Sequence, residues 1–160
     1  MAKTLSATIR RRLDVQGLCE VDDATLAEVV PWNRMAFAVC ALLAGLGTAL
    51  ASPTFLWILT PIAAAGAIFP VHPIDLIYNH GIRCLRKTGP LPRRRAQTRF
   101  ACAVGTVWMV ATALAFQSGA LTAGYILGGS LTAVAALVGT TDICIPSMIY
   151  NALFRRSPAT

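Results

Sequence analysis

Charge is what this sequence has least of: Asp, Glu, Lys and Arg make up 13% of its 160 residues, about half the share usual in soluble domains. Two stretches lack these residues altogether. Met35 to Ile74 is 40 residues and Phe100 to Thr141 is 42 residues without one of them. A water-soluble fold of this length has too little interior to hide so much uninterrupted apolar surface. No secretory signal peptide is expected either, because the first 33 residues carry several charges and no apolar core of about 7 to 15 residues. The first span is therefore expected to act as its own insertion signal. No Cys-x-x-Cys occurs, so no familiar dithiol or zinc spacing is present. The lack of ionisable groups inside the apolar runs argues against an ion-coupled or proton-coupled pump, which needs them within the bundle.

What is abundant is hydrophobic residues, at 56%. At 1.5 Å rise per residue, a helix of either uncharged run would reach roughly 60 Å, twice the ~30 Å hydrocarbon core. Each run is expected to fold back once, as a helical hairpin. Turn formers mark the folds at Ala51-Ser52-Pro53-Thr54 and Gln117-Ser118-Gly119. The expected fold is thus an all-α membrane protein with four transmembrane helices near 35–51, 54–70, 100–117 and 120–141.

The 14 basic residues lie in the N-terminal segment through Arg34, in the central segment from Arg83 to Arg99, and at Arg155 and Arg156. Under the positive-inside rule, both termini and the central loop face the cytoplasm and the two tips face outward. The expected location is the bacterial inner (plasma) membrane, with the bilayer and anionic lipid head groups as partners of the basic face. A nucleic-acid partner is not expected, since Arg93-Arg94-Arg95 has no interleaved aromatics. The five cysteines fall in spans or on the reducing side and are expected to be free thiols.

The two runs resemble one another. Arg34-Met35-Ala36-Phe37-Ala38-Val39 pairs with Arg99-Phe100-Ala101-Cys102-Ala103-Val104, Asp75-Leu76-Ile77-Tyr78-Asn79 with Ser147-Met148-Ile149-Tyr150-Asn151, and Arg83 with Arg155. This predicts two parallel-repeat hairpins about a pseudo-two-fold axis along the membrane normal, each followed by a short cytoplasmic amphipathic helix. Pro73 and Pro146 suit first turns of those helices, and Tyr78 and Tyr150 suit headgroup depth. The organisation reads as an N-terminal segment 1–33, repeat one 34–83, a basic loop 84–98, repeat two 99–155 and a tail 156–160. In the N-terminal segment, Asp22 or Asp23 is expected to cap a short helix stopped before Pro31, with residues before about 15 mobile.

Candidate chemistry gathers at the cytoplasmic ends of the second and fourth spans. His80 and Cys84 are four residues apart, on one helical face, and His72 and Cys144 are equivalent in the repeat. Together these four suit zinc or copper, against a reading with no cofactor in which the histidine caps a helix, Asp75 and Asp142 balance arginines, and the cysteines pack. Gly124 and Gly128 form a small-x-x-x-small pair that serves either packing within the bundle or a homodimer.

The segments His72-Pro73-Ile74-Asp75-Leu76-Ile77-Tyr78-Asn79-His80-Gly81 and Thr140-Thr141-Asp142-Ile143-Cys144-Ile145-Pro146-Ser147, with Arg99-Phe100-Ala101-Cys102, resemble the domain of unknown function 4395, an uncharacterised bacterial membrane family. The resemblance covers roughly 31–155 and implies membrane location. Many relatives carry a second cysteine where Ser147 stands here, which leaves Cys144 as the one position the resemblance gives redox potential. The leading functional expectation is a non-enzymatic membrane component that binds an unknown protein partner or self-assembles. Alternatives are a thiol- or metal-handling protein and an oligomeric small-solute conduit.

Overall fold

The computed structural model describes residues 5–86 and 89–154. Arg155, Arg156, the tail and Lys87 lie outside the described residues. The fold is helical throughout: α1 (Ala7–Val15), α2 (Asp23–Ala49), α3 (Pro53–Ile68), α4 (Pro73–Ile77), α5 (Arg83–Arg86), α6 (Ala96–Gln117), α7 (Leu121–Thr141) and α8 (Ile145–Phe154), with a π-helical turn Tyr78–Ile82 joining α4 to α5.

α2, α6 and α7 have 27, 22 and 21 residues and are long and apolar enough to cross a membrane. α3 has 16 residues, about 24 Å, short of the hydrocarbon thickness. It reaches a spanning length together with Pro73–Leu85, across a bend of 82°. The chain thus has the helices of a transmembrane protein, with three candidate spans, or four if the bent pair makes one. The tips form where turn chemistry dictates. Ser52 Oγ accepts from Phe55 N at 3.3 Å, with Pro53 at the first position of α3, and Gly119 takes φ +79° between α6 and α7.

Two expectations about the N-terminal segment are corrected. α2 does not stop at Pro31 but runs through it to Ala49. Pro31, itself exposed, removes one helical hydrogen bond at about 3 kcal/mol, and the buried Val29, Val30 and Ala36 on either side offset that cost. Asp22, not Asp23, is the cap, its carboxylate accepting from Thr25 N at 2.9 Å. Ala7–Val15 form α1, capped by Ser6 and anchored by the fully buried Leu13 in a cluster with Leu18, Leu26 and Val30, while residues 1–4 lie outside the described residues.

The main packing partners are α2 with α7 and α3 with α6, so each span lies chiefly against one from the other run. Small residues set the α2–α7 distance. A Cβ on Gly128 would meet Thr48 Oγ1 at 2.2 Å, and one on Gly45 would meet Thr132 Cγ2 at 3.1 Å. Gly124 is covered by the Phe116 ring, which a Cβ would meet at 2.5 Å. Both Gly124 and Gly128 are therefore occupied within one chain.

Candidate functional site

The end of the bundle that carries the connections 69–72, 89–95 and 142–144 concentrates the polar chemistry. His72 is the N-cap of α4. Its Nδ1 accepts from Ile74 N at 3.2 Å, while Asp75 Oδ2 accepts from His72 N at 3.2 Å. Because Nδ1 is an acceptor, the ring is neutral and its proton sits on Nε2. Asp75 is also bound in a fork by Arg94, Nε to Oδ2 at 2.6 Å and Nη2 to Oδ1 at 2.8 Å, with both side chains buried. Burial works against the charge on Arg94, but the hydrogen bonds and charge of Asp75 more than offset it, and its pKa stands above the ordinary arginine value. Arg94 also lies over the Phe37 ring, 5.2 Å from its centroid.

Asp142 ends α7 in the left-handed conformation, φ +60°. Its carboxylate accepts Arg34 Nε at 2.9 Å on each oxygen, and Arg34 Nη2 as well. Its carbonyl accepts Gln16 Nε2 at 2.8 Å, and the preceding carbonyl of Thr141 accepts Arg12 Nη1 at 2.8 Å. The α7 C-terminus is thereby satisfied by α1 and its following residue, and not by water. At the end of α3, Arg99 performs the matching task, donating to Ala67 O at 2.9 Å and Ile68 O at 2.7 Å.

Beneath these groups lies a partly open cavity of about 110 Å³, walled by α2, α3, α6, α7 and their connections. Among its lining residues no carboxylate, amide or hydroxyl side chain occurs; the walls are alanines, branched aliphatics and the rings of Phe37 and Trp108. The polar exceptions are His72, Arg94 and the thiols of Cys40, Cys102 and Cys144. His72 Nε2 and Cys102 Sγ crowd together over Gly66, lying 2.9 and 3.3 Å from where its Cβ would stand. Cys144 is buried and hydrogen-bonded by Ser147 Oγ at 3.1 Å. Burial pushes its thiol up, against the opposing effect of Ser147, so it stays protonated and a poor nucleophile. All five cysteines are free. Trp108 Nε1 is buried without a hydrogen-bond partner.

The four residues expected to gather as metal ligands separate into two places. His72 and Cys144 border the cavity. His80 and Cys84 are exposed on the segment after α4, where His80 Nδ1 contacts Leu76 O at 3.1 Å and Cys84 Sγ contacts His80 O at 3.7 Å. Among the described residues no group of three or more His, Cys, Asp or Glu is arranged to hold a metal ion. Of the interfacial residues, Asn79 accepts from Leu91 N at 3.0 Å, Asn151 donates to Val15 O at 2.8 Å, and Ser147 donates to Gln97 O at 3.2 Å. Arg83 is exposed. Tyr78 is fully buried with its ring 5.1 Å from that of Trp32, while Tyr150 is half-buried against Phe100, 5.4 Å between centroids.

Sequence reasoning did not single out Cys40, Cys102, Arg94 or Trp108. A signal was present: in the repeat register, Ala36, Phe37, Cys40 and Ala44 align with Ala101, Cys102, Gly105 and Met109, one helical face in each run, and all eight line the cavity. No curated protein and no solved structure matches the chain. The model of one family, a domain of unknown function, matches residues 30–155, and the chain belongs to that family, DUF4395.

Proposed function

We propose that this protein is a multi-pass membrane protein of the bacterial inner membrane, with cytoplasmic termini, whose bundle binds a small, largely apolar molecule drawn from the bilayer. The observation that carries this reading is the partly open, apolar cavity within the bundle. Binding sites in bundles have this composition, an apolar wall with a few polar groups that fix orientation.

The duplication supports the same reading. The cavity is lined by matching faces of α2 and α6, and His72 and Cys144 border it from equivalent positions, as expected of a site on a pseudo-two-fold axis. Arg34 and Arg99, equivalent in the repeat, each tie the start of one run to the end of the other. The three thiols at the cavity favour a second reading, thiol chemistry, with Cys40, Cys102 and Cys144 in place of His80 and Cys84. A self-assembling or partner-binding role would draw on the exposed apolar surface, which lipid already accounts for.

The test uses a protein whose one remaining tryptophan is Trp108, with Trp32 and Trp57 replaced by Phe. Bromobenzene, a heavy-atom quencher of cavity size, is expected to quench its fluorescence saturably. A Cβ on Gly105 meets nothing within 4 Å, so Gly105→Leu fills the cavity without a backbone clash and should abolish saturation. Linear, identical quenching in both proteins would mean simple partition into the micelle and would refute the reading. For the second reading, iodoacetamide labelling of Cys40, Cys102 and Cys144 that ignores bromobenzene would count against thiols at the ligand.

A further inference from the structure

We propose that the two short helical segments that follow the hairpins, Pro73–Leu85 and α8, lie in the lipid leaflet at the end of the bundle that carries the connections. Their apolar faces sink among acyl chains while their polar groups dock on the rest of the protein. A helix on the surface of a water-soluble protein turns its apolar stripe inward and its polar residues outward. Both of these segments bury polar groups and expose large apolar ones.

In Pro73–Leu85 the inward polar groups are Asp75, buried in its fork with Arg94, and the half-buried Asn79, whose Oδ1 accepts from Leu91 N at 3.0 Å. The outward groups are Leu76, Ile77 and Leu85, which are 45, 63 and 86% exposed. In α8 the inward groups are Ser147, fully buried and donating to Gln97 O at 3.2 Å, and Asn151, donating to Val15 O at 2.8 Å. The outward groups are Met148, Ile149 and Leu153, which are 52, 49 and 67% exposed. The match between Asp75–Asn79 and Ser147–Asn151 in the sequence is therefore also a match in burial. The first position is buried, the second and third are exposed, and the asparagine ties each segment to a neighbouring part of the chain.

Lipid is the partner these faces fit. In water, apolar groups of this size exposed side by side would form a patch that soluble monomers avoid. The surface is also continuous with that of a candidate span: Ile68 and Phe69, at the end of α3, are exposed and stand just before the segment. The bend of 82° sets Pro73–Leu85 across the line of α3, and so close to the membrane plane. With 16 residues, α3 measures about 24 Å and falls about 6 Å short of the ~30 Å hydrocarbon core. An interfacial helix sinks its apolar face by about 5–10 Å, a depth that takes up this shortfall. His80 and Arg83, exposed on the same segment, supply the polar margin that reaches the headgroups.

The experiment places a diazirine amino acid at Ile77 or at Ile149 of the full chain, irradiates the protein in its native membrane and reads the mass of the purified product. The carbene left by loss of nitrogen inserts into whatever covers the side chain, so phospholipid, water and protein give different masses. Ile126, 66% exposed on α7, and Ala24, exposed in the first turn of α2, serve as the lipid and water references. Both test positions are exposed, so the buried anchors Asp75 and Ser147 stay in place. Phospholipid adducts several-fold above water adducts are expected at both positions, as at Ile126. Water adducts at the level of Ala24 at either position would overturn the proposal. So would crosslinks to a second copy of the chain or to another protein in place of lipid.

Discussion

The two ends of this bundle are built on different principles. At the end bearing the long connections, two buried or half-buried arginine–aspartate pairs, Arg94–Asp75 and Arg34–Asp142, and a set of side-chain donors to helix-terminal carbonyls hold α1, α4 and α8 onto the spans. At the tips, the links are turn geometry and one exposed hydrogen bond from Trp57 Nε1 to Gln117 Oε1 at 3.1 Å. Short tips need little else, because each hairpin closure is local. The connected end must instead position segments far apart in sequence, and the cavity lies beneath it. Polar order at that end is what shapes a site out of otherwise uniform apolar helices.

The sharpest way to break this contrast is Asp75→Ala, which leaves the Arg94 charge buried and unpaired. About 3 to 5 kcal/mol of stability should be lost, read as a fall in melting temperature in detergent, with Arg94→Ala giving a similar loss. Gln16→Ala removes the donor that satisfies the Asp142 carbonyl and should cost about 1 to 3 kcal/mol, with faster amide hydrogen exchange in α1. At the opposite end Gln117→Ala should change stability by no more than about 0.5 kcal/mol. A loss at Gln117 rivalling that at Asp75 would erase the distinction between the ends.

The smallest effect expected is a pH dependence. The side-chain hydrogen bond and charge of Arg95 hold the exposed Glu20 carboxyl below its usual value of 4.5. Because the folded pKa is the lower one, the pair's contribution is fully present above that usual value and is lost as pH falls through the depressed one. Acid should therefore loosen the contact between residue 20 and the start of α6 in wild type, and leave Glu20→Gln unchanged, as followed by hydrogen exchange at Cys19 to Val21.

The spans were legible because ionised groups are so costly in lipid that their absence over 40 and 42 residues marks the chain. Their ends were less so. Pro31 reads as a stop, yet a helix inside a packed bundle tolerates one lost hydrogen bond. α1 reads as a loose arm because what holds it, Asp142 and Asn151, lies more than 120 residues away. Arg94 was hidden inside a basic cluster that topology alone explains. The cavity was hidden for a related reason: its alanines and valines are the same residues that face lipid, and only the repeat register distinguishes one face from the other. Asp75 and His72 stood out as isolated polar groups, while Trp108 looked like any aromatic in a span.

The claim that the bundle is a ligand site is tested most directly by a high-resolution structure of the protein taken from its own membrane in lipid nanodiscs. The expected result is density for a small, largely apolar molecule in the cavity among α2, α3, α6 and α7. A cavity closed by its own side chains, or holding only water hydrogen-bonded to Trp108, would contradict it.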